Sequence, residues 1–177
     1  MNILEAQKDM RHGYYGGAPG LLVSGIVWLV AGSIATTGET RRAVIALLIG
    51  GMLIHPLAMA VAKLLRRPGA HTKENPLGHL ALESTIILLL GIALALGLAQ
   101  YRVELFFPAM LLVIGGRYLT FQTLYGRRVY WLCGGALAGW GLATAILNIS
   151  APATALAGGL IEVLFAVFVF RQAKSEG

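Results

Sequence analysis

The sequence predicts an all-α integral membrane protein of six transmembrane helices, arranged as three repeated helical hairpins with both termini in the cytoplasm. Three observations predict it. Of 177 residues, 57% are hydrophobic and only 12% are charged, about half the roughly 25% charge of a soluble domain. The apolar residues gather into six runs of about 20, each long enough to cross a hydrocarbon core of about 30 Å at about 1.5 Å per residue. The 14 Lys and Arg residues gather at the ends of those runs, as membrane topology requires.

Residues 1–16 form a polar N-terminal tail of mixed charge. Asn2 and Glu5 stand at the spacing of a capping box, so a short helix is expected to end near Gly13, with the segment as a whole solvated. The transmembrane domain is expected over 17–171. Its first run, Gly17–Thr37, contains small residues at a cleavage-like spacing in Ser33-Ile-Ala35 and is read here as a retained helix. The others are Arg42–Leu65, Gly78–Gln100, Glu104–Tyr125, Val129–Asn148 and Pro152–Arg171, followed by a C-terminal tail over 172–177. The longest link, Arg66–Leu77, is too short for a further domain. Pro19, Pro76, Pro108 and Pro152 lie near the starts of runs, where a missing N–H does least harm, and Pro68 follows the end of one. Only Pro56 falls inside a run, and a bend is expected there. Asn75 is expected to cap the third span.

Ten basic residues (Lys8, Arg11, Lys63, Arg66, Arg67, Lys73, Arg127, Arg128, Arg171 and Lys174) fall on the side of the tails, against Arg41, Arg42 and Arg102 on the other, with Arg117 left inside a span. The positive-inside rule then puts both termini in the cytoplasm. The same distribution argues against nucleic acid as a partner, because the net charge of +6 is dispersed over span ends rather than gathered in a stripe. One cysteine, Cys133, excludes an internal disulfide and any multi-cysteine metal site.

Each even-numbered span carries a glycine pair (Gly50-Gly51, Gly115-Gly116, Gly158-Gly159) and soon after it an ionisable residue: His55, Arg117 or Glu162. This is the basis for the three-hairpin expectation, with glycines admitting close helix approach. Gly135-x-x-x-Gly139 and Gly16-x-x-x-Gly20-x-x-x-Ser24 are read as further packing contacts within the chain.

The candidate binding residues are His55, Glu83, Arg117, Tyr118, Gln122 and Glu162. A cation as deep as Arg117 costs roughly 2.5–3.5 kcal/mol on insertion scales, so it faces the bundle or water and finds a partner. Two readings stand side by side for it: an ion pair with Glu162 or Glu83 that fixes packing, and a bidentate clamp for an anion. Tyr118, Gln122 and Tyr125 form a polar stripe about 100° around the helix from Arg117. His55, Glu83, Arg117 and Glu162 share one depth, between the midplane and the inner interface, as a cavity open to the cytoplasm would need. His55 precedes Pro56, beside a freed carbonyl that satisfies a neutral imidazole. With His79 and Glu83 it also composes a weak His-His-Glu metal pattern, and no metal or other cofactor is assigned.

The segments Gly20-Leu-Leu-Val-Ser-Gly-Ile-Val-Trp28, His55-Pro-Leu57, Asn75-Pro-Leu-Gly78, Gly115-Gly-Arg-Tyr-Leu119 and Leu124-Tyr-Gly126 together resemble a family of small six-helix bacterial membrane proteins of unknown function. That resemblance covers nearly the whole chain. It implies an inner-membrane location and assigns no catalytic residue. Arg117 is the position expected to depart from the family pattern.

The favoured function is binding or transport of a small solute or ion through a cytoplasm-facing polar cavity, in a homo-oligomer surrounded by the lipid bilayer. An intramembrane enzyme acting on a lipid-like or anionic substrate is the first alternative, without a nucleophile motif to support it. A structural or accessory subunit is the second.

Overall fold

The computed structural model describes residues 1–175 and has, among them, seven α-helices, two 3₁₀ turns and no strand. The helices are α1 (Ile3–Tyr14), α2 (Ala18–Ala35), α3 (Thr40–Leu64), α4 (Leu77–Tyr101), α5 (Phe106–Tyr125), α6 (Val129–Leu147) and α7 (Ala151–Ser175). Six helical segments, the first containing α2, are long and apolar enough to cross a membrane, which marks a multi-pass membrane protein. The spans match the runs read from the sequence to within a few residues. α3 runs unbroken through Pro56. The expected C-terminal tail is a continuation of α7 as far as Ser175, and its last two positions lie outside the described residues.

The helices form an arc in the order α3, α2, α7, α6, α5, α4. The most extensive contacts join α2 to α7 and α5 to α6, whereas α6 and α7 touch more lightly. The three sequential hairpins are therefore not equivalent. α3 and α4, at the two ends of the arc, scarcely touch one another.

Glycine decides where the arc is tight. A Cβ on Gly25 of α2 would lie 2.9 Å from the carbonyl oxygen of Gly159 on α7, and one on Gly159 would lie 2.8 Å from that of Gly25. Gly115 of α5 meets Gly134 of α6 in the same way, at 2.7 Å. At both crossings backbone rests on backbone, so any side chain would push the helices apart. Each glycine pair thus supplies a packing residue: Gly50 against Val27, Gly115 against Gly134, Gly159 against Gly25. The expectation for Gly20, Gly135 and Gly139 does not hold, since a Cβ there would meet nothing within 4 Å among the described residues. On α6 the packing glycines are instead Gly134 and Gly141, which face α5.

The N-terminal segment differs from the solvated tail the sequence suggested. Its capping box is present, with the Glu5 N–H donating to Asn2 Oδ1 at 3.0 Å and the Asn2 N–H to Glu5 Oε2 at 2.9 Å. The resulting helix does not float free. Ala6, Met10 and Gly13 fall on one face (i, i+4, i+7) and are buried. Gln7 donates to the Thr123 carbonyl at 2.8 Å and Arg11 to that of Tyr125 at 2.7 Å. The α3–α4 link grips the other side: Asn75 Nδ2 donates to the Ala6 carbonyl at 2.9 Å and to Asp9 Oδ2 at 2.7 Å, and the Thr72 N–H donates to Asp9 at 3.0 Å. Asn75 Oδ1 also accepts from the Leu77 N–H at 2.9 Å, a turn leading into α4, whose N-cap is Pro76 rather than the expected Asn75. Burial alone would raise the Asp9 carboxyl, but hydrogen bonds from Asn75 and Thr72 outweigh it and hold the group below the usual carboxylate range. Tyr15 packs on Phe170 with ring centroids 5.5 Å apart, so the turn after α1 and the last turns of α7 lie at this same, basic end of the bundle.

Candidate functional site

The open side of the arc holds a cavity of about 740 Å³, bounded by α2, α3, α4 and α5. That is within the 300–1,000 Å³ usual for small-molecule sites. Its lining is mostly apolar and aromatic, including Trp28, Leu47, Met59, Leu88, Met110 and Phe121. This corrects the expected polar cavity. The reason lies in the helices themselves, whose inward faces are built from the same Leu, Ile and Met as their outward ones. Met10 and Tyr14 of α1 line the basic end of the cavity. Tyr14 O–H meets His71 Nδ1 at 2.8 Å, which fixes that end to the α3–α4 link.

Arg117 supplies the cationic group of the cavity wall. Its guanidinium donates to Thr85 Oγ1 at 3.2 Å and lies over the Phe121 ring, 5.4 Å from the centroid. Among the described residues it has no carboxylate partner, and its Nε has no hydrogen bond. Neither ion pair weighed from the sequence forms. The same guanidinium also borders a second hollow of about 420 Å³ between α4 and α5, beside Ser84 and Thr120.

Glu162 takes a different partner. It is fully buried on α7, and Tyr118 O–H donates to its Oε1 at 2.7 Å. Ser24 of α2 stands beside the carboxyl, while Oε2 has no hydrogen-bond partner among the described residues. Tyr118 and Ser24 line the cavity and Glu162 does not, so the carboxyl sits one layer behind the wall. Tyr118 continues into a cluster with Phe121, Tyr125 and Tyr130, in which Tyr118 and Tyr130 stack at 6.2 Å and Tyr125 and Tyr130 at 5.4 Å. Tyr130 O–H closes the cluster by donating to the Gly16 carbonyl at the turn between α1 and α2.

The other candidates separate. His55 lines the cavity from α3 and is exposed. Glu83 is exposed and lies outside it, which corrects the expected convergence of four ionisable groups. The inward stripe of α4 is Ala81, Thr85, Leu88 and Ile92, and at about 100° per residue Glu83 stands about 200° from Ala81. Equal depth did not imply equal direction. Gln122 is half-buried, also outside the cavity, so the expected polar stripe keeps only its tyrosines. His79 is exposed, and no three His, Cys, Asp or Glu side chains gather as metal ligands among the described residues. Sequence reasoning missed Thr85, Trp28, and Met10 with Tyr14. The i, i+4, i+7 apolar positions of α1 were the available signal for Met10. Nothing in the sequence singled out Thr85.

The pattern of a family of unknown function, DUF7010, matches residues 3–172, and the chain belongs to that family. Comparison with curated proteins and with solved structures finds no match in either.

Proposed function

We propose that this protein binds a lipophilic anion inside the membrane, with the apolar part in the cavity and the anionic head on Arg117. The observation that carries the reading is a guanidinium in the wall of a large apolar cavity with no carboxylate partner among the described residues. A desolvated cation is expensive in such surroundings unless an anion joins it. Guanidinium geometry suits a carboxylate or phosphate held by two parallel hydrogen bonds. Ser84 and Thr85 of α4 line the same cavity, with both hydroxyls donating to the Ala81 carbonyl. The apolar lining favours an amphiphile over the small hydrophilic solute that the sequence suggested. By the positive-inside rule the basic end is cytoplasmic, which puts Arg117 in the inner half of an inner membrane.

The test is a thermal-shift comparison of purified protein with a long-chain carboxylate, a monoalkyl phosphate and the alcohol of equal chain length. A ligand of the folded state raises its apparent stability by mass action. The anions are expected to bind about tenfold or more tighter than the alcohol, as a charged hydrogen bond of about 1.5–3 kcal/mol implies. Arg117→Gln should erase that preference and keep the alcohol's weak binding. Equal binding of all three by the native protein would sink the proposal.

A further inference from the structure

We infer that the ligand reaches the cavity sideways, from the bilayer, through a window between α3 and α4, while α1 seals the basic end. The inference rests on the binding reading above and narrows its substrate class to single-chain anions already dissolved in the membrane, rather than anions arriving from water.

Three observations carry it. The helices at the ends of the arc scarcely touch, so the α3–α4 seam is the loose one around the cavity. The neighbouring α4–α5 seam is packed where Gly91 meets the side chain of Val113, both of them in the lining of the second hollow. Next, Met52 and Leu89 line the cavity yet are 72% and 60% exposed. They lie half-way along α3 and α4, so the window opens at the level of acyl chains. Two apolar helices with unpaired faces need no water there, because lipid is as good a neighbour as another helix. Finally, the route from the basic end is obstructed. Met10 is 2% exposed and lines the cavity floor, and α1 is held by hydrogen bonds from Gln7, Arg11, Asn75 and Thr72 and by the Tyr14–His71 contact. Opening the floor breaks that set, whereas opening the window only moves apolar side chains past one another. An anionic head passing the window meets Arg117, whose guanidinium bonds Thr85, one turn of α4 from Leu89, and supplies the charge complementarity that lipid alone would not find.

The experiment uses full-length protein in lipid vesicles with Cys133→Ala, Trp131→Phe and Trp140→Phe, which leaves Trp28 on the cavity wall as the one tryptophan. A brominated single-chain fatty acid in the same vesicles serves as the quencher. Met52→Cys with Leu89→Cys is compared before and after bridging by a bifunctional maleimide. Asp9→Cys with Thr72→Cys, on side chains that touch across α1 and the link, is compared before and after disulfide formation. Trp28 quenching is expected in the unbridged protein, slowed at least tenfold by the window bridge and unchanged by the α1 disulfide. Slowing by the α1 disulfide and not by the window bridge would place access at the basic end and overturn the inference. Bridging that joins two chains on a gel would also overturn it, by showing a second copy over the window. Absence of quenching in the unbridged protein would remove the binding reading itself, and the route with it.

Discussion

The wall α2–α7–α6–α5 and the arms α3 and α4 are made of nearly the same residues and behave as different materials. In the wall, Gly25 meets Gly159 and Gly115 meets Gly134 backbone to backbone, and the interior holds the Glu162–Tyr118 pair. In the arms, glycines such as Gly51 and Gly97 meet nothing within 4 Å among the described residues, and exposed leucine and isoleucine dominate. The lesson is that glycine content does not measure tightness in a membrane bundle. What matters is whether two glycines fall opposite each other, because van der Waals contact, not hydrophobic exclusion, joins helices in lipid.

Substitutions can break or sharpen that contrast. The largest effect is expected from Gly159→Leu or Gly115→Leu, which force apart backbones in contact. Overpacking of about 1–3 kcal/mol or more, at crossings where the new side chain meets backbone of the facing helix, should abolish the folded species in size-exclusion chromatography. Gly97→Leu on α4 should leave elution and melting nearly unchanged. If both sites tolerate leucine equally, the wall is not held by its glycines.

Next comes Arg117, the charge where wall and arm meet. Arg117→Leu should raise the melting temperature of ligand-free protein, since removing a half-buried cation that has no carboxylate partner among the described residues relieves up to roughly 2.5–3.5 kcal/mol on insertion scales. It should also remove the preference for anions. Lower stability without ligand would instead make the arginine a packing residue.

Tyr118→Phe takes the donor from the buried carboxyl. Interhelical hydrogen bonds in membranes average about 0.6 kcal/mol and reach about 1.7, so a loss of about 1 kcal/mol in denaturation by detergent titration is expected. Glu162→Gln keeps an acceptor for Tyr118 and should cost less.

Gly51→Ala works in the opposite direction. With open space at this helical site, about 0.5–1 kcal/mol of gain follows from the higher helix propensity of alanine. Proteolysis at elevated temperature would register it as slower cleavage.

The smallest effect concerns the α1 clamp. The folded Asp9 carboxyl lies below its ordinary value of 3.8, so its contribution is present above that pH. It fades as pH falls through the lower folded value. Hydrogen exchange of α1 amides should therefore quicken as the solution is acidified below about pH 4, and Asp9→Asn should flatten that dependence.

Much of this architecture is legible in the residues themselves. Run length against bilayer thickness determined six helices, and their ends coincide with prolines and with Gly126 and Asn148 in left-handed conformation. The Asn2–Glu5 spacing determined α1. The depth of Arg117 and Glu162 also followed from position along a span. Their partners did not. Depth is a property of one helix, whereas direction and neighbour depend on how helices rotate and in what order they pack. Only the tertiary structure turned Glu83 outward, set Tyr118 rather than Arg117 against Glu162, gave the guanidinium Thr85, and laid α1 across the base of the cavity. The physical reason is that these helices are apolar on every side, so hydropathy carries no mark of the inward face; close packing at a few glycines selects it.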